Sequence, residues 1–157
     1  MLILETDLFE ARVAWGDGIV NISKSYQEDG INKATQSAGA MLDKLYGFNI
    51  GPVLFKPTLS GGVQTFRSTK DGALSYFVGQ NEKYPLDTGF GIKNWCEITS
   101  ETSAVFIDRD IAMWMGWVSL VDQNGNLTKV DKSWGYKLDG DGYLKIMLHH
   151  SSLPYEP

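Results

Sequence analysis

The chain is short of the residues from which many catalytic and metal centres are built. It has one cysteine and two histidines in 157 residues. A lone Cys96 excludes an intrachain disulfide framework and fits a reducing compartment. With so few thiol and imidazole groups, a zinc or copper site would draw most of its ligands from carboxylates, so neither a metal nor a cofactor is expected. Basic residues are also sparse, 14 against 19 acidic ones for a net charge of −5, and they form no block. That balance argues against a nucleic-acid groove. No apolar run approaches the ~20 residues needed to span a bilayer. The opening segment MLILETDLFEARV is interrupted by Glu5, Asp7 and Glu10 where a signal peptide would stay apolar. A cytoplasmic domain with no membrane partner is the expectation.

Catalytic signatures are equally thin. There is no GxSxG and no Walker A, TGFGIK lacks a strand–turn–helix setting, and Cys96 has no histidine near it in sequence. DQNGN and DGDG lack the glutamate and flanking helices of an EF-hand and read as hairpin turns.

What the chain does have is aromatic bulk, 5 Trp, 7 Tyr and 7 Phe, in a length that suits a single domain over residues 1–157. Leu4, Leu8, Ala11, Trp15, Ile19, Ile22 and Tyr26 recur at helical spacing and predict one amphipathic helix over about 4–28, continuous through the glycines of GDG. A second stripe, Ile31 to Leu45, predicts another helix, with Asp29 as its N-cap and Gly47 closing it. GPVLFKPTL is extended, and Ser68 with Asp71 opens a short third helix. From about residue 92 the pattern is strand after strand, with hairpin turns at QNGN and DGDG. Helices at one end and strands at the other predict an α+β fold, with helices packed on one face of a curved antiparallel sheet.

IAMWMGWVSLVD is apolar on both alternating faces. Helices cover only one face, so Met113, Met115 and Trp117 are expected in a contact with a second copy of the chain. The adjacent His149 and His150 must diverge on a strand. His150 shares parity with Leu144, Ile146 and Leu148 and is expected on the core side; His149 is expected on the subunit-contact face. Thr128, Val130, Lys132, Trp134 and Tyr136 share one face of the preceding strand. Asp131, on its other face, is a candidate general base only if it meets a closed cavity.

The closing stretch DGDGYLKIMLHHSSLPY, with Gly142, Leu144, His150, Ser152 and Pro154, resembles the strand-final signature of the nuclear transport factor 2-like (NTF2-like) superfamily. It is especially similar to SnoaL-like proteins and to bacterial relatives of the calcium/calmodulin-dependent protein kinase II association domain. FKPTL and GALSYFVG are similar to stretches of those bacterial members. The resemblance implies a cone-like sheet around a helix, a cavity between them, and homo-oligomers. The expected pocket residues are Trp15, Tyr26, Asp131, Trp134 and His150. The functional expectation is a self-associating domain whose apolar pocket holds a small organic ligand. The alternative is an isomerase, cyclase or dehydratase using acid–base chemistry there, with His150 or Asp131 as proton carrier.

Overall fold

The computed structural model describes residues 1–157. The N-terminal stripe forms one helix, α1 (Glu5–Asp29), and the glycines inside it have a steric reason. A Cβ on Gly16 would stand 3.2 Å from Ile98, and one on Gly18 would stand 2.7 Å from the Met41 sulfur. Small residues let a strand and a second helix approach α1 closely. That second helix, α2 (Ile31–Leu45), is entered through Gly30 at φ +84°, with no side-chain cap, so Asp29 does not cap it. Nor does a left-handed Gly47 end it. Tyr46 turns extended (φ −107°, ψ 146°) and bridges Ile146, and the Gly47 N–H donates to the Ile146 carbonyl at 3.0 Å. The sheet thus captures the chain as it leaves α2.

The extended stretch that follows contains β1 (Leu54–Lys56), and a short helix, α3 (Lys70–Val78), is capped by Thr69 rather than Ser68. The remaining strands are β2 (Trp95–Asp108), β3 (Ile111–Asp122), β4 (Leu127–Leu138) and β5 (Leu144–Ser152). They form a five-stranded sheet in the order β1-β5-β4-β3-β2. The fold is α+β with the helices on one face of a curved sheet, as the pattern of elements predicts. The sheet is mixed rather than wholly antiparallel, because β1 runs parallel to β5. KNWCEITSE and SAVFIDRD, which the sequence pattern suggests as two strands, form one long β2, with a register shift between Thr102 and Ala104.

One irregularity decides the site. Gly135 pairs with Leu148 but Tyr136 pairs with Ile146, so Met147 has no partner in β4. A bulge inserts one residue and reverses the alternation beyond it. Ile146 faces the helices as expected, but after the bulge His149 and Ser151 face them, both fully buried. His150 stands on the outer face opposite Ser133, which is itself opposite Met115. The two histidines therefore occupy the reverse of their expected positions.

Candidate functional site

Four elements deliver polar groups into the aromatic interior. Trp15 comes from the mid-point of α1, and Tyr46 from the captured end of α2. Lys132 and Trp134 lie on the inward face of β4, with His149 and Ser151 opposite on β5. The pairs Lys132–Ser151 and Trp134–His149 are direct cross-strand neighbours, the closest side-chain relation a sheet offers.

The hydrogen bonds form a chain. The Trp15 Nε1–H donates to the Tyr46 hydroxyl at 2.9 Å, and that hydroxyl lies 2.8 Å from His149 Nδ1. The other ring nitrogen, Nε2, lies 2.8 Å from Lys132 Nζ. Phe55 stacks on the imidazole with centroids 4.7 Å apart, while Trp15 and Trp134 meet it at 5.7 and 5.1 Å. Lys132 also sits 4.7 Å from the centre of the Trp15 ring. No carboxylate takes part. Burial, reinforced by the nearby Lys56 charge and only partly opposed by Asp131, brings the Lys132 amine down to about 7. Burial also pushes His149 well below the usual imidazole range, with Lys132 and His150 acting in the same direction. Desolvation thus keeps His149 neutral at pH 7 and brings the Lys132 amine into the range where it exchanges a proton near neutrality.

Next to this chain lies a second polar cluster. The Ser151 and Thr58 hydroxyls are 2.6 Å apart, and Lys56 Nζ donates to the Ser151 carbonyl at 2.7 Å. The Leu59 N–H donates to the Tyr76 hydroxyl at 3.1 Å, and burial raises that phenol above its ordinary value. Thr58 owes its place to the loop after β1, which is pinned by a buried ion pair. Arg67, 3 % exposed like its partner, holds both oxygens of Asp87 at 2.7 and 2.6 Å, and Ser75 adds a bond of 2.6 Å. Two amines and three hydroxyls thus meet with no acid among them, a setting suited to a small anion.

Of the pocket residues expected from sequence, Trp15 and Trp134 stand in this wall. Tyr26 is half-buried against the core, 11 residues and about 16 Å further along α1. Asp131 lies on the outer face opposite Trp117 and Ser152 and contributes only its field. His150 is exposed, and its place is taken by His149, which is 1 % exposed and cannot serve an outer interface. Met113 and Met115 do lie on the outer face, 49 % and 56 % exposed, while Trp117 is half-covered by Lys129 at 4.6 Å. Lys132, Tyr46, Ser151, Thr58, Tyr76 and Lys56 were not anticipated. The one local signal was Lys132, a lysine on a strand face otherwise made of Val130, Trp134 and Tyr136. A separate cavity of about 240 Å³ meets the same two indoles from the side of α1 and β2, beside Arg12, Phe9 and Ile98. No three His, Cys, Asp or Glu side chains converge anywhere in the chain, and no helix is long and apolar enough to cross a membrane.

The exchange of histidine roles has a measurable consequence. His149→Ala removes both hydrogen bonds and strands two buried partners, at roughly 1–3 kcal/mol each. His150→Ala changes stability by no more than about 0.5 kcal/mol. Urea denaturation of the two variants checks this, and equal losses would contradict it.

A curved sheet covered by helices around a polar interior site gives the chain an NTF2-like α+β fold. Two solved structures share that fold at low identity. One is a calcium/calmodulin-dependent protein kinase II association domain from Xanthomonas campestris (24 % identity, TM-score 0.50, covering 84 % of this chain and 86 % of that one). The other is an NTF2-like superfamily protein from Salmonella enterica (13 %, TM-score 0.50, 95 % and 94 %). More specific is the match of residues 6–153 to the family model for metal-independent carbonic anhydrase. A metal-independent carbonic anhydrase from Nostoc sp. is 44 % identical over 154 residues, covering 98 % of this chain and 75 % of that protein. The crystal structure of a cyanobacterial iota-carbonic anhydrase complexed with bicarbonate superimposes with a TM-score of 0.98 at 43 % identity, covering 99 % and 95 % of the two chains. The chain belongs to the metal-independent carbonic anhydrase family. This overturns the expectation of a non-catalytic ligand-binding domain, since the relatives are named for a defined enzymatic activity. The alternative of acid–base catalysis on a small molecule was nearer, although the reaction classes considered were different.

Proposed function

We propose that this chain is a carbonic anhydrase that interconverts CO2 and water with bicarbonate and a proton, and that Lys132 takes and returns the proton. The observation that carries this reading is an amine only 2 % exposed, 2.8 Å from His149 Nε2 and directly across the ladder from Ser151. In hydration, a water oxygen attacks the carbon of CO2 and forms the new C–O bond. One C=O electron pair moves onto oxygen, and the water proton passes to the free amine of Lys132. Bicarbonate and a lysine ammonium result, and the ammonium then loses its proton to solvent buffer. The hydroxyls of Thr58 and Ser151 give up their mutual hydrogen bond to the developing negative oxygen, and the Lys56 ammonium beside them adds its charge. The indole face of Trp15 favours the transient ammonium. A base near neutrality combines a large free fraction at pH 7 with useful basicity. Dehydration runs the same steps backwards, so its rate falls where the hydration rate rises, around pH 7.

Stopped-flow CO2 hydration by protein dialysed against a chelator tests the proposal. Undiminished turnover, rising with pH through an inflection near 7, is the expected result; turnover no faster than buffer would end it.

A second copy of the chain is the proposed partner on the outer face. Phe106 and Met113 are direct neighbours across β2 and β3, as are Asp108 and Ile111, and the three apolar side chains are 46–57 % exposed together with Met115. Burying such side chains contributes roughly 1.5–3 kcal/mol apiece at full burial. Met113→Asp with Met115→Asp should therefore convert a symmetric oligomer to a 17.5 kDa species in light scattering. A wild type that is already monomeric at micromolar concentration would refute this.

A further inference from the structure

We propose that Tyr46 is a positioning residue: it fixes His149 as the Nε2–H tautomer and so holds Lys132 as the free amine. The inference rests on the reading of Lys132 as the proton acceptor, and it adds the reason that the amine is free to accept.

The argument is a count of donors. Tyr46 is fully buried, and its hydroxyl has two partners, Trp15 Nε1 and His149 Nδ1. An indole N–H only donates. The Tyr46 proton therefore has one destination, the lone pair of His149 Nδ1. A neutral imidazole that accepts at Nδ1 carries its proton at Nε2, and that N–H points at Lys132 Nζ, 2.8 Å away. Only an unprotonated amine has a lone pair to receive it. The chain then runs Trp15 to Tyr46 to His149 to Lys132, and the indole, phenol and imidazole donors along it are all satisfied.

The opposite state is less well matched. A Lys132 ammonium donates to Nε2, which moves the imidazole proton to Nδ1. Tyr46 then accepts from both Trp15 and His149, and its own buried O–H has no acceptor. A stranded buried donor carries a penalty, and that penalty falls only on the protonated form of Lys132. Other groups act on the chain through their fields: Lys56 of β1, Asp131 and Tyr136 of β4, His150 of β5 and Tyr76 of α3. None of them hydrogen-bonds to Tyr46 or His149, so none sets the tautomer. Depression of the His149 pKa agrees with a ring that stays neutral through the cycle.

During turnover the chain acts as a spring. Proton uptake by Lys132 is coupled to a tautomer change in His149 and to loss of the Tyr46 donor bond. Loss of the proton to solvent restores the satisfied state.

Nitrogen-15 NMR of the imidazole, combined with the pH profile of hydration, tests this. In the wild type above pH 8, the His149 Nδ1 resonance should be that of an unprotonated nitrogen and Nε2 that of an N–H. In Tyr46→Phe the Nε2–H preference should weaken, and the kinetic inflection should rise by about one pH unit, a roughly tenfold smaller free-amine fraction below it. Trp15→Phe loosens the same wall but keeps the Tyr46–His149 bond, so its tautomer should match the wild type, while the loss of the indole face beside Lys132 bears only on the inflection. A wild-type ring protonated at Nδ1 overturns the proposal whatever the variants do. So does a Tyr46→Phe enzyme whose tautomer is unchanged or whose inflection stays or falls. If the tautomers behave as stated while a Lys132 variant keeps full activity, it is the assignment of the base that fails.

Discussion

Lys132→Met lowers kcat for CO2 hydration by on the order of 10²–10⁴-fold, the range typical of losing a positioned general base, while the protein still folds. Methionine fills much of the space of the lysine stem and removes an amine that costs free energy to bury. The variant should therefore be no less stable than the wild type at pH 7. The sign of the pH dependence follows from the same group. Lys132 has an ordinary lysine pKa of about 10.4 when unfolded and about 7 when folded. Between those values the unfolded chain binds a proton that the folded chain lacks, so stability rises with pH. The slope contributed is at most about 1.4 kcal/mol per pH unit. Below about pH 7 both states are protonated, the folded amine is charged inside an apolar wall, and the destabilisation is present in full. Urea titrations of wild type and Lys132→Met at pH 7 and pH 9 should show this slope in the former and not in the latter. Parallel pH dependences would show that Lys132 is not titrating in the folded protein, and the proton acceptor would have to be sought elsewhere.

The second large effect falls on the hydroxyl pair. Thr58→Val keeps the shape of the side chain and removes its hydrogen bond to Ser151. Losing one preorganised donor to a developing oxyanion typically costs about 10²–10³ in kcat. Ser151→Ala should cost a similar amount. The two side chains share one hydrogen bond, so their effects should not add. The double variant is expected within about tenfold of the worse single one, measured in the hydration and dehydration directions. Lys132 and His149 hold their hydrogen bond without either hydroxyl, so the pH inflection should survive in all three variants. Independent, multiplying losses would show that Thr58 and Ser151 act on different steps.

The parts of this account that come from period and turn chemistry are legible in the sequence. The stripe through Trp15 and Tyr26 forms one helix despite two glycines, because both glycines sit where neighbours come close. QNGN and DGDG close the expected hairpins. The inward set Val130, Lys132, Trp134 and Tyr136 follows from simple alternation along β4. The histidine assignment fails for a reason that alternation cannot contain. One unpaired residue, Met147, reverses the parity of everything after it. The partner strand carries the trace of that crowding at Gly135, where a Cβ would stand 2.9 Å from the Leu148 Cβ. Tyr46 and Thr58 are hidden for a different reason. Tyr46 ends a helical stripe and looks like its last apolar member, yet its direction is set by a bridge to Ile146. Thr58 lies in a loop whose position depends on the Arg67–Asp87 pair. Long-range contacts of that kind leave no periodic mark.

A crystal of the protein soaked in bicarbonate tests the central claim most directly. The account predicts the anion beside Lys132, within hydrogen-bond distance of the Thr58 and Ser151 hydroxyls, with their mutual 2.6 Å bond opened to receive it. An anion held instead by Arg12 in the cavity between α1 and β2, with the Thr58–Ser151 bond intact, would contradict it.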